Sequence, residues 1–298
     1  MDFDDLKDAI PHRSPVQPRE LTADAAFQFD CHPGVSCFNA CCRRSDIQLL
    51  PYDVIRLKQR FGMTAGEFVA AWTTPFEMDQ HGLPGLKLAT RPGSGECVFL
   101  TEKGCDVYDD RPTACRYYAL GSMDIRKAGE SRLEQIFFVV TEDHCKGHEQ
   151  PKTQTVREYR KSQALDIYDY HNRGWRELVV KKRSSGPTVG KPSERSMQLF
   201  DMCSYDMDSF RAFVQSEGFQ RLFDLPEDEL NGLLEDEVRL LHFGYRFLRQ
   251  ALFGETTIPL RPGAREARIA ARQAVWAQRR EQEIHRYREE QERSQYEE

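Results

Sequence analysis

Eight of the nine cysteines in this chain of 298 residues lie between positions 31 and 145, and residues 146–298 hold only Cys203. Ordinary core usage scatters cysteines singly, so this segregation constrains what the first half must fold around. Four sulfurs crowd into "CHPGVSCFNACC", residues 31–42, with the spacing C-x5-C-x3-C-C. Pro33 and Gly34 turn the chain between Cys31 and Cys37, and Cys41 and Cys42 are adjacent. The other four, Cys97, Cys105, Cys115 and Cys145, stand in "GECVFLTEKGCDVYDDRPTACRYYALG" and "EDHCKGHEQ". Eight thiols make two complete four-sulfur sites, or one cluster site with an additional site beside it.

Disulfides are opposed by both compartment and density. The segment "MDFDDLKDAIPHR" is acidic and lacks the basic start and apolar run of a secretory signal. Mean hydropathy is −0.67, and no run of about 18 apolar residues occurs, so no membrane helix is expected. A cytoplasmic protein is the expectation, and cysteine clusters there bind metal or do redox chemistry. Nine cysteines in 298 residues also fall well below the ~8–10% of a disulfide scaffold. The net charge of −6 and pI near 5.8 oppose general nucleic-acid binding, which wants a basic excess.

Thiolates select zinc, copper(I) and iron–sulfur clusters, and four of them close a tetrahedral site or hold one cluster. Neighbouring Cα atoms sit ~3.8 Å apart, and in an extended segment successive side chains point to opposite sides. Both sulfurs of Cys41 and Cys42 reaching one small ion would then strain the backbone. A larger cluster, or two sites sharing the segment, accommodates the pair, which favours iron–sulfur over a single zinc. Zinc remains the alternative, as a structural or interaction module. A thiol sensor oxidised reversibly at Cys41–Cys42 is a third reading. No C-x2-C…C-x2-C ribbon, C-x2-C-x2-C run or C-x3-C-x2-C motif is present, so spacing alone names no cofactor.

Arg111 and Arg116 flank Cys115 in "DRPTACR", where a guanidinium would offset thiolate charge, and Pro112 sets a turn. His144 and His148 bracket Cys145 as substitute ligands, and His32 follows Cys31 with a weaker claim. "RPGSGEC" reads as a turn before Cys97 rather than a phosphate loop. No Ser/His/Asp set, nucleotide loop or carboxylate pair is recognisable, so no catalytic residue is assigned and enzyme class stays open.

"FQFDCHPGVSCFNACCRR", "GECVFLTEKGCDVYDDRPTACRYY" and "HCKGHE" resemble the YkgJ-type cysteine-cluster family, also described as the CxxCxxCC putative zinc- or iron-chelating domain. The resemblance covers roughly residues 27–150 and extends loosely to the C-terminal helices of longer bacterial members. Cys37, Cys41 and Cys42 match the motif core, with Cys31 leading. Cys97, Cys105 and Cys115 match the downstream segment, and Cys145 the last cysteine. The knot here is wider than CxxCxxCC, so the ligation pattern does not transfer directly. The family implies a chelated iron–sulfur or zinc centre held by these eight cysteines. Its similarity to the flagellin lysine-N-methylase group further implies a [4Fe–4S] cluster and, by distant analogy, methyl transfer from S-adenosylmethionine.

Along the chain, residues 1–26 read as a flexible acidic arm and 27–150 as the cysteine-cluster domain. Residues 51–72 show helical periodicity through Val54, Leu57 and Phe61, with Gly62 as a cap and Thr64 and Glu67 as a capping box. Residues 86–90 and 133–140 are β-prone and predict a small supporting sheet. A helical extension over 151–180 precedes a basic linker, 181–196. Residues 197–255 form a helical accessory region whose 206–253 segment reads as an amphipathic pair, with Asp228 or Asn231 capping the second helix. Cys203 is read there as a small buried hydrophobe. The tail, 256–298, is a charged helical pattern without sustained heptads, and Trp276 would anchor an unknown protein partner. The fold class is thus mainly α (α+β): a cysteine-rich metal-binding domain with a small sheet, a helical C-terminal region and a charged helical tail.

Overall fold

A computed structural model describes residues 20–79, 82–125, 134–184 and 193–270, with 273 and 280. In chain order the strands are β1 (Ala26–Gln28), β2 (Gln48–Leu49), β3 (Thr73–Glu77), β4 (Pro84–Leu88), β5 (Leu100–Thr101), β6 (Gly104–Cys105), β7 (Leu120–Ile125), β8 (Glu134–Val139) and β9 (Thr153–Thr155). The helices are α1 (Pro51–Phe61), α2 (Ala65–Trp72), α3 (Thr113–Tyr117), α4 (Val156–Ser162), α5 (Leu165–Ser184), α6 (Glu194–Tyr205), α7 (Met207–Gln215), α8 (Glu217–Leu222), α9 (Glu227–Glu235) and α10 (Glu237–Phe253). The fold is mainly helical, and among the described residues the small antiparallel sheets fall within residues 26–155.

Local chemistry explains the first helices. Pro51 presets φ at the opening of α1, and the Asp53 carboxylate accepts the Leu50 N–H at 2.9 Å. Gly62 ends the helix at φ 62°, a left-handed conformation that glycine adopts without a Cβ penalty. Thr64 then caps α2, accepting from the Glu67 N–H while the Glu67 carboxylate accepts from Thr64. Strand β3 leaves α2 directly and pairs with β4, whose other edge takes β2, in the order β2-β4-β3.

Strands β1 and β9 pair antiparallel, Ala26 opposite Thr155, so the chain enters and leaves the cysteine-bearing stretch side by side. The predicted strand at 133–140 appears as β8, and its partner is β7, with Leu120 opposite Val139. Gly121 lies under the Phe138 ring, where any Cβ would fall 2.0 Å from a ring carbon. That small residue breaks the apolar alternation, so no strand is legible at 120–125.

Two apolar clusters hold these pieces. The larger joins Leu49, Val54, Leu57, Phe68, Leu86 and Leu88 to Trp175, Phe200, Phe210, Leu240, Leu241 and Phe243. Strands and helices from both halves of the chain thus share one core. Each fully buried Leu or Phe contributes roughly 1.5–3 kcal/mol. The smaller contains Leu21, Phe27, Phe29, Tyr117, Leu120, Phe137, Val156 and Tyr159. Polar ties reinforce both: Asp169 accepts from the Tyr117 hydroxyl at 2.6 Å, from Arg160 at 2.7 Å and from Arg176 at 2.8 Å, linking α3, α4 and α5. Lys58 of α1 meets Glu237 of α10 at 2.6 Å.

Several segments depart from the sequence expectation. The stretch 206–253 folds into α7–α10 rather than a pair, because Ser216 and Asp236 restart the helix with side-chain caps. Asp236, not Asp228 or Asn231, caps α10, accepting from the Val238 and Arg239 N–H groups; Asp228 and Asn231 sit inside α9. Residues 181–184 continue α5 and 194–196 begin α6, while 185–192 lie outside the described residues. Residues 20–26 pack against the fold, with Leu21 donating to Phe137 at 2.7 Å. Residues 1–19, Trp276 and most of the tail beyond 270 also lie outside the described residues.

Candidate metal centre

The knot is a succession of tight turns. Backbone bonds Val35 to His32, Phe38 to Val35, Ala40 to Cys37 and Cys42 to Asn39 span 2.8–3.1 Å. Asn39 takes φ 64°, tolerated by its short polar side chain, and starts a 3-10 turn over Ala40–Arg44. Cys41 and Cys42 therefore lie in a 3-10 turn and not in the extended backbone expected from the sequence. At about three residues per turn their side chains leave the backbone about 120° apart, and the sulfurs stand 3.9 Å from each other.

Separate elements carry the other cysteines. The Cys97 N–H donates to the Cys42 carbonyl at 2.8 Å, binding the "GEC" loop to the knot. Cys105 ends the β5–β6 hairpin, opposite Leu100. Cys115 lies in α3, whose N-terminus is held by Asp53: its carboxylate accepts the Thr113 N–H at 3.0 Å and the Thr113 hydroxyl at 2.6 Å. The Lys146 N–H points at the Cys37 sulfur, 3.0 Å away, and the Asp30 N–H donates to Gly147 at 3.0 Å. These two bonds bring Cys145 to the Cys31–Cys37 end of the knot. Gly147 is required there, since a Cβ would meet Phe29 at 2.4 Å and the Asp30 carbonyl at 2.9 Å.

Electrostatics sorts the thiols in the same way. Burial pushes Cys31 up to about 11, assisted by charge on Cys41, Cys37 and Cys145. The hydrogen bond from Cys42 lowers Cys41 to about 7, and that same bond, then burial and the charges of Cys41, Cys115 and Cys97, raises Cys42. Cys115 is raised by burial and by Cys97, Cys105 and Cys41. Burial also raises Cys97 and Cys105; Arg91 opposes the rise at Cys97, and Arg111 and Arg60 at Cys105. Among the described residues, no three His, Cys, Asp or Glu side chains stand where one ion could take them all. The donors are nevertheless entirely sulfur, which fits zinc or an iron–sulfur cluster and not a hard cation. Cys203 is fully buried in the main core, away from these charges.

The expected auxiliary residues divide. Arg111 does approach a thiol, though it is Cys105 rather than Cys115. Arg116 turns inward: it donates to the carbonyls of Arg111 and Gln163 at 2.9 Å, to that of Asp109 and to the Tyr168 hydroxyl. Both ring nitrogens of His148 face backbone carbonyls, Gln28 at 3.2 Å and Val140 at 2.9 Å, so this side chain braces the fold. His32 accepts the Gly34 N–H at 3.1 Å, and His144 lies 3.8 Å from Glu142. Arg60 and Arg91 carry no cysteine-adjacent signal in the sequence; only folding brings them to Cys105 and Cys97. A half-open cleft of about 300 Å3, lined by Leu21, Phe27, Gln28, Val139, Thr141 and His148, lies against the smaller cluster.

No curated protein and no solved structure matches the chain. Residues 30–146 match a family model described as "CxxCxxCC: Putative zinc- or iron-chelating domain". The match takes in all eight clustered cysteines and stops short of Cys203. Over residues 30–146 the chain is thus similar to a zinc- or iron-chelating domain of the CxxCxxCC type.

Proposed function

We propose that the cysteine-rich domain holds iron–sulfur chemistry and serves electron transfer in a reducing, cytoplasmic setting. The observation carrying this reading is the set of eight clustered free thiols, with no three donors among the described residues at single-ion spacing. An inorganic cluster reaches across wider gaps than one zinc ion. When bound, such a cluster supplies one-electron redox capacity. The chain's own part is to present thiolates: the Cys42 hydrogen bond eases ionisation of Cys41, and Arg60, Arg91 and Arg111 offset charge at Cys97 and Cys105. Exposed Cys31 and Cys41 give an electron partner its approach. For cluster-assisted group transfer, the cleft beside His148 would be the place for a small co-substrate.

One distance favours a zinc module instead. A tetrahedral zinc with bonds of ~2.3 Å sets its sulfurs ~3.8 Å apart, close to the 3.9 Å between Cys41 and Cys42. The two readings separate on iron, zinc and acid-labile sulfide measured in anaerobically purified protein. Iron with matching sulfide and absorption near ~400 nm supports the cluster. Zinc without sulfide refutes it and leaves a structural or interaction module.

A further inference from the structure

We propose that the eight thiols form two four-sulfur metal sites that meet at the Cys41–Cys42 peptide. Cys31, Cys37, Cys41 and Cys145 make an outer site, and Cys42, Cys97, Cys105 and Cys115 make an inner one. The inference rests on the iron–sulfur reading proposed above; a zinc ion held jointly by Cys41 and Cys42 would oppose it.

Packing separates four of the eight cysteines independently of their charges. Cys97 belongs to the main core and Cys42 and Cys105 pack against it, whereas Cys145 packs on the smaller cluster around Phe29. Backbone bonds draw the same line: Cys97 is tied to Cys42, and Lys146 and Gly147 are tied to Cys37 and Asp30. Cys115 enters from α3 beside Cys97 and Cys105, with Cys41 further off across the shared peptide, and Cys31 lies near Cys37, Cys41 and Cys145. Ligand arithmetic agrees, since zinc and cubane clusters each take four protein sulfurs and eight would overfill one site. The 3-10 turn makes the split possible: it sends successive side chains about 120° apart, so Cys41 and Cys42 face different neighbours from one short segment. Cys31 and Cys41 are exposed while Cys97 is buried, so the outer site meets solvent first.

The test measures metal and acid-labile sulfide per chain, with Mössbauer spectra if iron is present, in anaerobically purified full-length protein, C31S and C105S. Two centres per wild-type chain are expected. Each variant should keep about half the metal, and the two should retain different spectral components. In air the component missing from C31S should bleach first in the wild type. A single centre per wild-type chain, or loss of all or none of the metal in C31S, overturns the partition while leaving the metal-centre reading intact. A metal-free wild type overturns that reading itself. Should C105S fail to fold by circular dichroism, exposed Cys31 decides alone: one component lost supports two sites, and both or neither lost refutes them.

Discussion

Asp53 is the place where burial, helix capping and the cysteine region meet, and its replacement by Asn has a calculable pH signature. Its side chain is fully buried and accepts three hydrogen bonds, from Leu50 N–H, Thr113 N–H and the Thr113 hydroxyl. Burial outweighs those bonds and raises the carboxyl from 3.8 to about 6. The gap is worth roughly 3 kcal/mol. Between these values the folded chain holds a proton that the unfolded chain has released. This group's stabilising contribution is therefore present below about 3.8 and lost as pH rises through about 6. Asn does not ionise, so it escapes that loss, but its amide N–H2 opposes one donor and leaves it unmet, costing about 1–3 kcal/mol. D53N should then be less stable than wild type by about 1–3 kcal/mol at low pH and near parity at neutral pH. Urea unfolding of both proteins across pH 4–7, kept anaerobic, gives the difference curve. A difference that does not change with pH over that window would refute the account of a charge forced into the core.

Two more changes probe the frame around the site. His171 and His242 share a 2.9 Å hydrogen bond between α5 and α10, and burial lowers both from 6.5, with His242 also lowering His171 and Asp236 opposing. Their contribution is full above 6.5 and fades as pH falls through the lower folded values; H242Q should flatten that acid loss and cost about 1 kcal/mol at neutral pH, and unchanged acid sensitivity in urea unfolding would contradict this. Gly147→Ala places a Cβ 2.4 Å from Phe29 and 2.9 Å from the Asp30 carbonyl. It should cost about 1–3 kcal/mol, read as a fall in unfolding temperature, and stability within about 0.5 kcal/mol of wild type would show that the loop gives way freely.

Much of the local structure follows from short-range chemistry and is readable in the residues. Thr64 and Glu67 close a capping box, Gly62 turns left-handed, and the buried positions Val54 and Leu57 follow helical spacing, because each depends on neighbours within four residues. The apolar run at 134–139 becomes a strand for the same reason. Ambiguity begins where one residue has two local uses. Asp228 and Asn231 read as caps in isolation, yet both lie inside α9, and Asp236 caps α10 through the Val238 and Arg239 N–H groups.

The sequence by itself determined that eight sulfurs, segregated from the rest, belong to soft-metal chemistry, since donor type and number are properties of composition. Which sulfurs neighbour each other was decided by tertiary structure. Cys145 reaches Cys37 through a backbone bond from Lys146, more than a hundred residues downstream, and Cys97 reaches Cys42 in the same manner. Arg116, adjacent to Cys115, turns away to satisfy buried carbonyls, while Arg60 and Arg91 arrive from other parts of the chain. Adjacency along the chain predicts contact only for side chains that point the same way. Across a fold, direction is set by which apolar faces must be buried and which backbone groups must be paired, and both are long-range conditions.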